Sequence, residues 1–189
     1  MGFTSDNTGG GPPLLKFNRE AQYVKRGSDE TYNDQLFIAK VREASAGYLK
    51  FNGDGTAPER RMGSIFPEDK APERALLGDT DESAWKKGKF GVEDPWTACV
   101  EIPLQHKETG EELVFVTQSK TGIGAALDFI AQAKRVPDGY LPVIALGVTT
   151  YKSQFGPQKK PALIIKGRVP ANGAALNEAR LPFNDSLKF

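Results

Sequence analysis

Lysines set beside flat aromatic rings are the residues of this 189-residue chain whose types and spacing could do chemistry. Tyr48 and Phe51 bracket Lys50, Trp85 precedes Lys86 and Lys87, and Tyr151 and Phe155 flank Lys152, with Lys159 and Lys160 shortly beyond. Lys40 and Arg42 alternate with the apolar Phe37, Ala39 and Val41, which gives a strand one basic face. Cations spaced in this way track phosphates, and ring faces take up unpaired bases at roughly 1–3 kcal/mol per base. From Gly139 to Asn177 there is no Asp or Glu, while Lys152, Lys159, Lys160, Lys166 and Arg168 all fall there. No carboxylate within that interval opposes a polyanion. Each residue also has a plainer reading. Trp96, after EDP and ahead of a strand, reads as core or lid, and Lys159 and Lys160 could serve only to keep a hairpin soluble. Tyr151 and Phe155 divide between packing and contact, and Trp85 reads as an exposed ring.

Catalytic chemistry is poorly supplied. His106 stands in the polar turn HKETGEE and reads as a solvated surface residue. Cys99 lies in an apolar run, where a small buried side chain is the natural role. One cysteine and one histidine cannot build a Cys/His zinc site. No P-loop, spaced GxGxxG or HExxH occurs, and GIGAA lacks the phosphate-binding lysine. Its small residues fit close helix packing instead. Asp54, Asp79, Asp81 and Glu82 have the hard oxygens that suit Mg²⁺, but they lie in a polar loop with nothing to hold them rigid. The expectation is a binding protein without catalysis, cofactor or metal.

The elements that must position these residues follow from periodicity. Residues 1–13 read as a flexible tail, and LLKF with QYVKR as a hairpin. A long first strand starts near Phe37 and is expected to bend at Gly47. Residues 52–95 form a long insertion rich in Pro and Gly, with a short helix around PERALLG. TACVEIPL and ELVFVTQS make an antiparallel pair whose Val114 and Val116 oppose Leu113 and Phe115, so the second strand is expected to be covered on both sides. A helix from about Gly122 to Arg135 carries Ile123, Leu127 and Ile130 on one stripe, with Phe129 alongside. VIALGVTTYK and ALIIKGRV close a hairpin, and 170–189 is a C-terminal tail. The fold class is therefore mostly β. Three strands, a helix and two strands, within 14–169, give an OB-like five-stranded barrel with one helix between strands three and four. The competing architecture is a β-sandwich with a flanking helix. A net charge of +1 confines any attraction for polyanions to local patches. No apolar run reaches the roughly 18–20 residues of a membrane helix, and MGFTSDNTGGGPP has no signal-peptide pattern. A reducing cytoplasm is the expected setting.

The element order, the terminal Phe189 and the interleaving of Lys with Trp and Tyr resemble phage-encoded single-stranded DNA-binding proteins of the OB type. EDPWTACVEIPL, ELVFVTQSKTGIGAALDFI, LPVIALGVTTYKS and PALIIKGRV are also similar to segments of small prophage proteins. The resemblance covers about 37–169 and implies sequence-tolerant binding of single-stranded DNA in phage or mobile-element replication or recombination, in the host cytoplasm. It admits an oligomer. Members of that group usually recruit replication or recombination proteins through a strongly acidic tail, whereas RLPFNDSLKF is near charge balance. Recruitment here would have to use Phe183, Leu187 and Phe189 as apolar anchors. The alternative is a phage interaction or structural protein, a host-system inhibitor included, whose lysines are solvation alone.

Overall fold

Alternating apolar residues build eleven strands and one α-helix among the described residues of the computed structural model, which are 11–53, 56–88, 91–154 and 156–172. Most of the expected N-terminal tail, Phe155 and most of the expected C-terminal tail lie outside them. The strands are β1 (Leu14–Phe17), β2 (Tyr23–Lys25), β3 (Leu36–Ala39), β4 (Ser45–Lys50), β5 (Glu59–Ser64), β6 (Lys86–Gly88) and β7 (Gly91–Glu93). They continue as β8 (Trp96–His106), β9 (Glu112–Thr117), β10 (Tyr140–Ser153) and β11 (Gly156–Pro170), with α1 (Lys120–Ala133) between β9 and β10. One path runs β11-β10-β3-β8-β9-β1-β2, with β4 on β8 and β5 on β4. Every pairing in it is antiparallel except β1 with β9. The chain is mostly β, and this sheet curls strongly into a half-barrel. No helix among the described residues is long and apolar enough to cross a membrane.

The expected first strand is interrupted, and not at Gly47. A 3₁₀ turn at Val41–Glu43 splits it, and β3 and β4 lie end to end along β8, with Ala39 opposite Leu104 and Ser45 opposite Glu101. Val41 stays buried through the turn, so the apolar alternation runs on and conceals the break. Gly47 sits in an unbroken ladder where the β5 backbone approaches closely. The sheet's irregularity falls instead between Val143 and Ile144.

Tyr23 joins the two ends of the curl. It lies on β2, at one end of the strand path, and reaches the β10–β11 pair at the other. Its hydroxyl donates to the Gly147 carbonyl (2.9 Å) and accepts from the Ala162 amide (3.0 Å), which are cross-strand partners. The ring is fully buried against Phe17 and Phe115. Tyr23→Phe keeps the ring and strands both backbone groups, so unfolding should become easier by roughly 1–3 kcal/mol. Chemical denaturation checks this; an unchanged midpoint would mean the hydroxyl closes nothing.

The concave face holds the main core, including Phe37, Ile102, Leu104, Phe115, Ile144 and Leu146. The helix lies over it with a stripe shifted from the expected one. Gly122, Ala126, Phe129, Ile130 and Ala133 are buried, while Leu127 is exposed. Phe129 and Ile130 fill the contact with Ile123 at its margin, and the small Gly122, Ala126 and Ala133 let the helix lie close. A Cβ at Gly122 would stand 2.0 Å from the Thr117 hydroxyl oxygen. Ser119 caps the helix by accepting from the Gly122 amide at 3.1 Å. Leu49, Cys99 and Val116 form a second cluster on the outer face, with Val114 beside them, so β9 is covered on both sides as expected. The 52–95 segment contributes β5 to the sheet, then 3₁₀ turns at Arg74–Leu77 and Glu82–Ala84, then the β6–β7 ribbon.

Candidate nucleic-acid interface

The β10–β11 hairpin outruns the sheet that supports it. β3 pairs with β10 only through Val143–Ala145, and from Val148 to Ser153 only β11 accompanies it, up to a turn in which Ser153 donates to the Gly156 carbonyl. The result is a two-stranded arm. Thr150 faces Lys159 and Lys152 faces Pro157, so both lysines project from one side of it. Tyr151, opposite Gln158, and Lys160, opposite Thr149, project from the other. Tyr151 is half-buried, and Lys152 and Lys159 are exposed. No carboxylate among the described residues pairs with Lys152, Lys159 or Lys160.

The cations expected on the first strand are engaged. Lys40 pairs with Glu112, Arg42 pairs with Asp138, and Lys50 pairs with Asp79 at 2.7 Å. Tyr48 is half-buried on β4 opposite Arg61 and Ala98. Phe51 is the open ring of this group, 53% exposed. Lys86 comes against the loop that follows β4, since a Cβ on Gly53 would lie 3.8 Å from the lysine Nζ. Lys87 is exposed on the same ribbon. The structure thus sorts the predicted residues into two groups. β10 is antiparallel to β3 with Ala145 opposite Leu36, so the arm leaves past the His106 end of β8. Lys50 faces Trp96 at the other end. Eleven residues of β8 separate those ends, roughly 35 Å at full extension.

Trp85 is not the open ring expected; it is half-buried and built into an anchor for the insertion. Its indole N–H donates to the Asp79 carbonyl at 2.7 Å, and the Arg74 guanidinium stands 5.8 Å from its ring centre. Arg74 grips the Asp94 carboxylate with two hydrogen bonds of 2.7 Å each, and also donates to the Gly78 and Asp79 carbonyls. The Asp79 carboxylate accepts from Lys50 (2.7 Å) and from the buried Trp96 indole (2.9 Å). Lys50 and then Trp96 hold the Asp79 carboxyl below its ordinary range, and Arg74 does the same for Asp94. Depressed carboxyl pKa values stabilise the fold above the unfolded value of about 4 and cease to do so as pH falls through the lower folded values. Acid should therefore loosen the insertion early. Tryptophan emission should shift to the red below about pH 4, ahead of the loss of far-UV dichroism; coincident transitions would sink this account.

His106 is buried, which corrects its expected exposure. The Thr109 amide donates to Nδ1 (3.1 Å), which leaves Nε2 as the protonated nitrogen facing the Gln35 side-chain oxygen at 2.7 Å. Phe37 meets the imidazole edge-on at 5.0 Å. Turn and core together hold it as a structural group. Cys99 is buried as expected, and burial pushes its thiol up to about 11. Of the acidic residues considered for Mg²⁺, Asp54 lies outside the described residues, Asp79 is bound as above and Asp81 caps the turn at Ser83; no metal-holding group of three occurs among the described residues.

Sequence reading gave Phe66, Lys134 and Tyr140 no binding role and met Arg168 only as one cation of the acid-free interval, yet they stand together at the C-terminal end of α1. Their signal was weak because they come from three separate segments. No family model, curated protein or solved structure matches the chain.

Proposed function

We propose that the chain binds single-stranded DNA with little sequence preference, through the β10–β11 arm, in phage or mobile-element replication or recombination. The observation that carries this reading is an arm with one tyrosine, no carboxylate and three lysines that have no ion-pair partner among the described residues, projecting from a protein of net charge +1. Lys152 and Lys159 contact phosphates on one side of the arm, and Tyr151 with Lys160 offers a ring and a cation on the other. The architecture supports the reading. β3 with β4 acts as the first barrel strand, lying between the second (β8) and the fourth (β10), with α1 joining the third to the fourth. Such an order is consistent with an OB-like barrel left open and bridged by Tyr23. Binding is the whole activity in this reading, with no reaction catalysed.

Anisotropy of end-labelled oligonucleotides tests it. Intrinsic tryptophan quenching is a poor reporter, because Trp96, with Trp85 near it, stands at the far end of β8 from the arm. Oligo-dT and a mixed-sequence strand should bind alike and outcompete duplex of the same length. Absence of binding at low salt by folded protein would end the proposal.

One observation favours the second reading, a phage interaction or structural protein that does not bind nucleic acid. Lys40, Arg42 and Lys50 are neutralised within the fold, and Leu76 and Phe51 stand exposed beside the insertion's anchor. Failure of the oligonucleotide test would select it.

A further inference from the structure

Two aromatic rings outside the arm share one cleft. Phe66 and Tyr140 line a shallow depression at the C-terminal end of α1, together with Val41, Arg42 and Pro137. Phe66 rests partly on the core, while Tyr140 is 41% exposed. Arg42 and Lys134 bring their charges to 5.1 and 5.8 Å from the Phe66 ring centre, and Arg168 stands 4.9 Å from that of Tyr140. These separations are those of cation–π contacts. Asp138 is the one carboxylate paired within this group, and its partner is Arg42. Lys134 and Arg168 have no carboxylate partner among the described residues.

A guanidinium held 4.9 Å from the Tyr140 ring centre offers a base a cationic stacking partner, and Lys134, over Phe66 in the same cleft, offers a phosphate contact. The excess of cations over carboxylates makes the cleft complementary to a polyanion. Its place in the hairpin matters as much as its composition. Tyr140 lies on the same face of β10 as Lys152, twelve residues away, roughly 40 Å along an extended strand. Ile144 and Leu146 between them are buried in the core, so that face is open only towards its two ends.

We infer that the Phe66–Tyr140 cleft is a second contact surface for the same single strand, with Tyr140 under Arg168 as a stacking platform and Lys134 as a phosphate contact. This rests on the proposed binding of single-stranded DNA by the arm. Long strands engage both ends of the hairpin, and short ones engage one end at a time. The second contact of a long strand is then intramolecular and raises affinity without any new contact chemistry.

The test compares labelled oligo-dT of about 6 and about 40 nucleotides on wild type and on the double variant Tyr140→Ala, Arg168→Gln. Short-strand affinity should change by no more than about twofold, since the arm remains, while long-strand affinity should fall roughly tenfold or more. Equal long-strand affinity in the two proteins would overturn the inference and leave the arm reading intact. Binding by neither protein at either length would overturn both. Photocrosslinking of 5-iodouracil-substituted oligo-dT to unmodified protein gives a second readout that does not depend on how the variant folds. Adducts on Tyr140 or Phe66 are expected, and adducts confined to 148–161 would count against the cleft.

Discussion

Replacing Lys152, Lys159 and Lys160 together by alanine should weaken oligo-dT binding roughly tenfold to hundredfold near 0.1 M salt, and equally for every sequence tested. Each of these lysines lies on a two-stranded arm with solvent around it and no ion-pair partner among the described residues. Their removal takes away counterion release and touches packing only at the half-buried Lys160, so thermal stability should stay within about 1 kcal/mol of wild type. Tyr151→Ala differs in kind. It should cost roughly 1–3 kcal/mol in binding with little change in salt dependence, because stacking displaces few ions. A triple variant of unchanged affinity would move the interface off the arm, most directly to Phe51, Lys86 and Lys87.

Gly47→Ala should be strongly destabilising. A Cβ there would lie 1.9 Å from the Arg61 carbonyl oxygen and 2.8 Å from the Met62 Cα. Both obstacles are backbone of β5, so no rotamer change relieves the clash. β4 is also paired on its other edge, with Cys99 of β8 opposite Gly47, and cannot back away. The β4–β5 ladder must open, and with it the entry to the insertion that holds Arg74, Asp79 and Trp85. A loss of about 3 kcal/mol or more is expected, seen as a melting temperature lower by roughly 6–12 °C. Gly124→Ala is the control: nothing lies near its Cβ and it sits inside α1, so it should be neutral or mildly stabilising. Equal effects at the two glycines would contradict the packing described.

Local periodicity carried the legible part of the fold. The β1–β2 hairpin, the β8–β9 pair, α1 and the β10–β11 hairpin all follow from alternation or helical spacing with turn residues between them. Pairings between distant segments leave no such trace. Nothing in LLKF announces a parallel partner at Val114, and nothing in QYV announces a hydroxyl lodged between Gly147 and Ala162. The helix stripe holds at Ile130, at Phe129 and partly at Ile123 but not at Leu127, because the small Gly122 and Ala126 turn that part of the helix face to the core. His106 was read from its polar neighbours, but Gln35 and Phe37, about 70 residues earlier, decide its burial. The acid-free arm was visible as composition, since charge within one hairpin is local. The Phe66–Tyr140 cleft was not, because its cations come from the 3₁₀ turn, the end of α1 and β11.

The most direct measurement of the central claim is the salt dependence of oligo-dT binding by the wild-type protein beside the triple lysine variant. Single strands release about 0.7 counterion per neutralised phosphate, so the logarithm of affinity should fall linearly with the logarithm of salt concentration. The slope should flatten by roughly one to two units when Lys152, Lys159 and Lys160 are removed. A wild-type slope near zero, or an identical slope in both proteins, would contradict the account.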